Sequence, residues 1–226
     1  MRTQFHEDLE RMELRLLSLG ELAGQAVERA VASVARRDAA TANLVIREDD
    51  AIDELYLQID GGILQLLALQ SPVAADLRLI SAILHSCLHL ERIGDQAVNI
   101  AKIQLAVQDK PGSDVMRQQI GEMGEIVVRM IRTAMEAFAK RDVELCRQLP
   151  TMDDPVDRLN RLTHLEALKL ADDPLALDWG MHMNLAARAL ERVGDNAVDI
   201  AEQVGFLVTG DFREYTDASH PVELEG

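Results

Sequence analysis

Two carboxylates four residues apart occur twice in nearly the same surroundings. The segment from Glu91 to Ala101 reads ERIGDQAVNIA and the segment from Glu191 to Ala201 reads ERVGDNAVDIA, identical at eight of eleven positions and offset by 100. On a helix, Glu91 and Asp95 share one face, and so do Glu191 and Asp195. At about 100° per residue, Ile80, Leu84, Cys87, Leu88 and Val98 fall within roughly 100° of arc with the first pair inside it. That spacing predicts two acids planted in an apolar stripe. An unpaired buried carboxylate costs several kcal/mol, and a like-charged neighbour adds to it, so a counter-charge is required. Arginine or lysine, a proton or a metal ion could supply one. Arg92 and Arg192 point about 100° away from the acids they follow. Arg188, three residues before Glu191, is spaced for an ordinary ion pair with it.

A second acidic set bears on that choice. Asp49 and Asp53 form another pair at i, i+4, and Asp153 and Asp157 repeat it, each accompanied by a further acid, Asp50 or Asp154. A three-helix bundle can bring the Asp49–Asp53 face against the Glu91–Asp95 face, and likewise in the second copy. Four or more converging oxygens select hard cations such as magnesium, manganese, calcium or iron. Spacing alone leaves salt bridging and metal binding both open. The glycines at 94 and 194 cost about 1 kcal/mol each against alanine in a helix. Their recurrence implies close backbone approach, tight helix packing or room beside an ion. Asn99 and Asp199, one turn on, are placed to face water or to add a ligand. His85 and His89 lie on the side of the helix away from Glu91 and read as surface or interface residues. No Glu-x-x-His, Gly-rich phosphate loop, G-x-S-x-G or Cys/His nucleophile pairing occurs. A metal-dependent phosphohydrolase would need a base and a phosphate-holding cation, and neither stands at motif spacing. A structural helical repeat with salt-bridged acids is the third reading.

The elements that must position these residues are helices. Apolar residues recur at three and four along almost the whole chain, predicting helices over 3–36, 39–70, 72–108, 114–140, 142–171 and 174–209. Asp38 is placed to cap the second helix; Ser71-Pro72 and Asp173-Pro174 each read as an N-cap followed by proline at the first helical position. The run Asp109-Lys110-Pro111-Gly112-Ser113 is the main linker signal. Pro150 and Pro155 predict a kink or restart in the fifth helix, with Asp154 as a new cap, and Gly61-Gly62 a bend in the second. The repeat extends beyond the opening phrase: Leu19-Gly20-Glu21 through Arg36-Arg37-Asp38 matches Met123-Gly124-Glu125 through Lys140-Arg141-Asp142 at an offset of 104. Asp49, Asp50 and Asp53 fall on Asp153, Asp154 and Asp157 at that offset. The expected architecture is all-α, two tandem homologous three-helix bundles of long antiparallel helices. The first spans residues 1–110, the second 111–212, and 213–226 form a flexible tail.

Composition narrows the function. The 226 residues are 48% hydrophobic and only 3% aromatic, which suits helix-on-helix packing. A formal net charge of −16 disfavours nucleic acid. Cys87 and Cys146 lack metal-type spacing and suggest a reducing compartment. No signal peptide and no run of 18 apolar residues is evident, so a cytoplasmic protein is expected.

The residues Gln70-Ser71-Pro72-Val73-Ala74-Ala75-Asp76-Leu77-Arg78, then Leu90-Glu91-Arg92-Ile93-Gly94-Asp95 with Asn99-Ile100, resemble the signature of the PhoU family. The second half carries the partner phrase Leu190-Glu191-Arg192-Val193-Gly194-Asp195, followed by Phe206-Leu207-Val208-Thr209-Gly210-Asp211-Phe212-Arg213. The likeness covers residues 5 to 213. It implies two similar three-helix bundles, usually paired as a homodimer, and E/D-x-x-x-D motifs that hold multinuclear clusters of iron, manganese, magnesium or zinc. Carried onto this chain, the metal positions are Glu91, Asp95, Glu191 and Asp195, joined by Asp49, Asp53, Asp153 and Asp157. The implied role is regulatory rather than catalytic. Such proteins link the ATPase subunit of a phosphate ABC transporter to a membrane sensor histidine kinase, restrain the phosphate-starvation response and limit uptake. They would reach the membrane only through protein partners. Leu69-Gln70-Ser71 departs from the basic residues usual before the proline of the third helix.

Overall fold

The computed structural model describes residues 2–69 and 72–215, and these form six helices with no strand among them: α1 Arg2–Arg36, α2 Ala39–Leu69, α3 Ala74–Val107, α4 Asp114–Lys140, α5 Val143–Leu168 and α6 Pro174–Thr209. The first three pack together, and so do the last three. α1 also packs on α4 and α3 on α6, whereas α2 touches only α1 and α3, and α5 only α4 and α6. The tandem bundles are therefore fused through four central helices, with α2 and α5 as outer flanks. One apolar core runs through both halves; Leu16, Leu19, Ile59, Ile83, Leu90, Ile93, Met123 and Phe138 are fully buried in it. Each such side chain contributes roughly 1.5–3 kcal/mol over leaving it exposed.

Local sequence sets the helix ends. Arg37 and Arg141 both adopt the left-handed conformation (φ 54° and 56°), and each is followed by a capping aspartate. Asp38 Oδ1 accepts from the backbone N–H groups of Ala40 (2.9 Å) and Thr41 (3.1 Å), and Asp142 Oδ1 from Glu144 (2.9 Å) and Leu145 (3.3 Å). Asp173 caps α6 with Pro174 at its start, and Gly210 (φ 79°) ends it. The linker is clamped: Gly112 lies flat against the Trp179 ring, the Arg117 guanidinium sits 5.3 Å above the same ring, and Lys110 pairs with Asp178.

Some expectations change. α5 runs unbroken through Pro150 and Pro155, because Cys146, Leu149, Val156 and Leu159 are buried along its length and their packing outweighs about 3 kcal/mol per interior proline. α2 is likewise unbroken at Gly61-Gly62, where the absent side chain of Gly62 makes room for Met12. α3 starts at Ala74 rather than Pro72, with Asp76 Oδ2 accepting from the Val73 N–H at 3.4 Å; Ser71 lies outside the described residues. The chain beyond α6 is docked as far as Tyr215, whose N–H donates to the buried Glu202 at 2.6 Å, and 216–226 lie outside the described residues.

The two halves meet through a reciprocal contact. A Cβ at Gly20 would stand 2.6 Å from Met135 Cγ, and one at Gly124 2.6 Å from Val31 Cγ1. Gly20 and Gly124 are equivalent positions, as are Val31 and Met135, so α1 and α4 cross antiparallel about a local pseudo-twofold axis.

Candidate functional site

The flanking position of α2 and α5 leaves two outward grooves, one between α2 and α3 and the other between α5 and α6. Both helix pairs run antiparallel. In the second, Asp153 lies against Gly194 and Ala167 against Gly180; in the first, Ile52 and Asp49 lie against Gly94. This register brings Asp49 and Asp53 beside Glu91 and Asp95, and Asp153 and Asp157 beside Glu191 and Asp195. All eight acids expected from the sequence therefore sit in two equivalent grooves.

The expected α3 stripe is buried at Ile80, Cys87 and Val98 and packs partly at Leu84, but the core surface of the helix is wider than that stripe and the acids open onto the groove. α3 touches three helices, so its fully buried residues spread over a wide arc that includes Ile83, Leu90, Ile93, Ala97, Ile100 and Ala101. Glu91 is half-buried at the groove wall and Asp95 is exposed at its rim. In the first groove, burial pushes the Glu91 carboxyl above its ordinary range, and Asp95 and Asp53 push it further. Asp49 is raised by burial, then by Asp53 and Asp95. The second groove is more extreme at one residue. Asp153 is only 8% exposed, its Oδ1 has no hydrogen-bond partner, and burial with Asp195, Asp157 and Glu191 pushes its carboxyl up to about 7. Asp195 is raised by partial desolvation, then by Glu191 and Asp157.

The recurrent glycines now have a physical reason. A Cβ at Gly194 would collide with Asp153 Oδ1, and one at Gly94 would meet Ile52 at 3.0 Å and Asp49 Oδ1 at 3.5 Å. In each groove the missing side chain lets the flanking helix set an aspartate against the backbone of its neighbour.

Ion pairing divides unequally between the grooves. Arg188 pairs with Glu191 as its spacing implied, and Arg161 Nη1 stands 4.0 Å from Asp157 Oδ2. At the equivalent positions the first groove carries Leu88 and Leu57. Arg161 could have been found by aligning the repeats, since it is one of two places where an arginine in one copy replaces a leucine in the other beside the acids. His89, by contrast, faces the other bundle. Its Nδ1 lies 2.8 Å from Asn196 Oδ1 and 3.3 Å from Asp199 Oδ2 across the α3–α6 contact, so Asp199 meets His89 while its side chain stays 44% exposed to water.

The donor chemistry fits a hard cation. Each groove offers only carboxylate oxygens, and in the second the buried Asp153 Oδ1 lacks a partner that a cation would provide. Among the described residues, however, no three His, Cys, Asp or Glu side chains are gathered to hold one ion as folded. The acids are spread along the grooves, and Glu191 is paired with Arg188. Cys87 and Cys146 add no chemistry: both are buried, and burial pushes their thiols to about 12 and about 11. No described helix is long and apolar enough to cross a membrane.

Comparison with known proteins places this arrangement among relatives. A family model described as the PhoU domain matches twice, over residues 16–104 and 120–204. A Pseudomonas aeruginosa protein named phosphate-specific transport system accessory protein PhoU homolog is 34% identical over 218 residues, 96% of this chain and 88% of the relative. A Mycobacterium bovis protein, PhoU homolog 2, is 33% identical over 216 residues, covering 94% of this chain and all of the relative. The crystal structure of PhoU from Pseudomonas aeruginosa superposes with a TM-score of 0.87 over 92% of this chain and all of the other, at 34% identity. That of the phosphate transport system regulatory protein PhoU from Streptococcus pneumoniae gives 0.85 at 28% identity, over 92% and 99% of the two chains.

Proposed function

The chain belongs to the PhoU family, and from that premise we propose that it is a non-catalytic, metal-binding accessory regulator of phosphate transport. It acts from the cytoplasm as a homodimeric adaptor between the ATPase subunit of a phosphate ABC transporter and a sensor histidine kinase. In that role it represses the phosphate-starvation response and limits uptake.

The observation that carries this reading is that the PhoU model matches each half separately, and each match contains one complete acidic groove. Glu91, Asp95, Asp49 and Asp53 would hold cations in the first groove, and Glu191, Asp195, Asp153 and Asp157 in the second. A bound cation supplies concentrated positive charge that neutralises these acids. The residues themselves act as oxygen donors and, through α2 and α5, tie the flanking helices to the central four. Nothing in either groove is arranged as a nucleophile, so the grooves are read as binding elements rather than a hydrolase site.

Two experiments test the proposal. In a pull-down with tagged chain from phosphate-replete cells, the transporter ATPase subunit or the sensor kinase is expected among recovered proteins; repeated recovery of neither refutes the adaptor role. Protein purified without chelator is expected to carry iron, manganese, magnesium or zinc, and Asp95→Asn with Asp195→Asn to lose it. Unchanged metal content and thermal stability in that double variant would overturn the metal assignment.

A further inference from the structure

We propose that the second groove is a cation site closed by the chain's own arginines: Arg188 and Arg161 occupy Glu191 and Asp157, and a divalent cation enters only by displacing them. The inference rests on the metal reading of the grooves and goes beyond it, because it assigns the two grooves different behaviour and names the residues responsible.

The repeat provides the comparison. The grooves share their backbone, their glycines and their four acids, yet Arg188 and Arg161 replace Leu88 and Leu57. Both arginines lie beside the acids rather than within the core, with side chains 56% and 70% exposed, so each can swing into water. The carboxylate of Glu191 is 14% exposed and already paired. One polar atom in this groove is left over. Asp153 Oδ1 is buried and unpartnered, and it lies against Gly194, beyond the acids that the arginines hold. The arginines thus neutralise the mouth of the groove and leave its floor unsatisfied. That pattern fits a site in which guanidinium groups stand in for part of a cation's charge but cannot reach its innermost ligand. Exposed ion pairs of this kind are weak, so a divalent ion can compete with them.

The first groove has no such substitute. Glu91 and Asp49 face Asp95 and Asp53 with only the outward-pointing Arg92 and the more distant Lys102 for relief. In the absence of metal, the first groove therefore has no arginine against its acids, whereas the second has its mouth paired and only its floor, at Asp153, uncompensated.

The test uses full-length chain stripped of metal, with Mn2+ as the probe. Glu91→Gln with Asp95→Asn silences the first groove so that the second can be read alone. In that background, Arg161→Leu with Arg188→Leu is expected to tighten Mn2+ binding about tenfold, read by the loss of the free Mn2+ electron paramagnetic resonance signal. The same arginine substitutions are expected to lower the melting temperature of metal-free protein and to enlarge its rise on adding Mn2+. Both side chains are exposed, so folding should survive; Arg188→Gln alone provides a milder variant with the same direction. Unchanged affinity after removing the arginines overturns the gating. If the first-groove variant never takes up Mn2+, with or without the arginines, while wild type does, the second groove is not a cation site and the inference fails, but the metal reading of the first groove stands. No Mn2+ uptake by any form sinks both.

Discussion

Replacing Asp153 by asparagine should make metal-free protein more stable, and increasingly so as pH rises. The carboxyl is raised from 3.8 to about 7, first by burial and then by Asp195, Asp157, Glu191 and Asp154. An acid whose folded-state pKa lies above its unfolded value stabilises the fold in its protonated form. That contribution is complete below pH 3.8 and is lost as pH climbs through about 7. A rise of about three pH units, at about 1.4 kcal/mol each, corresponds to roughly 4 kcal/mol. Sharing of the proton with neighbouring acids reduces the effect, so about 2–4 kcal/mol is expected. Asparagine keeps the shape and removes the charge. Any penalty for its unpartnered amide is independent of pH, so it cancels when two pH values are compared. The assay is urea unfolding in excess chelator at pH 4 and pH 8.5. The stability difference, Asp153→Asn minus wild type, should grow by about 2–4 kcal/mol between them. A difference that stays constant, or shrinks toward alkaline pH, would refute a buried, uncompensated carboxylate at this position.

Other substitutions probe the packing that builds the grooves. Gly194→Ala drives a methyl group into Asp153 Oδ1, so it should displace that side chain and weaken Mn2+ binding in the second groove. Gly94→Ala meets Ile52 at both Cδ1 (3.0 Å) and the stiffer Cγ2 (3.1 Å), so the crowding outweighs the gain in helix propensity and should cost about 1–2 kcal/mol by urea unfolding. Gly124→Ala presses on the β-branched Val31 and should cost about 1–3 kcal/mol, whereas Gly20→Ala presses on the pliable Met135 and should cost less. Arg37→Gly relieves a left-handed residue and should raise the melting temperature by a few degrees. Arg141→Gly also loses the ion pair to Glu13 and the stacking on Phe138, and should not.

The helices, their number and nearly all their ends were legible in the sequence, because apolar spacing and capping residues are local signals. The pairing of acids across facing helices was legible too, since a three-helix bundle can set the Asp49–Asp53 face against the Glu91–Asp95 face, and the repeat carries the same arrangement into the second half. The continuity of α5 was not. A proline's penalty is local, but the packing of Leu149, Val156 and Leu159 that overrides it comes from α4 and α6. The full width of the α3 core was not legible for a related reason: a single apolar stripe such as Ile80, Cys87 and Val98 assumes one partner face, and α3 has three neighbours. Glu202 gave no sign of being buried, because the segment that covers it is a polar stretch after the last helix, with Tyr215 as its anchor.

The reciprocal contact between α1 and α4 has an implication for how such a chain can arise. Gly20 receives Met135 and Gly124 receives Val31, so each bundle presents both a notch and a knob on the same face. A surface of that kind is complementary to itself, as in an isologous dimer, and a free-standing half could pair with its own copy through it. In a dimer of first halves Gly20 would face Val31, and in a dimer of second halves Gly124 would face Met135. The larger knob has settled on one side only, so the joined chain fixes a mixed pairing that neither half would form with itself. In one joined chain the two grooves can differ, one carrying arginines where the other carries leucines, without breaking the symmetry that holds the halves together.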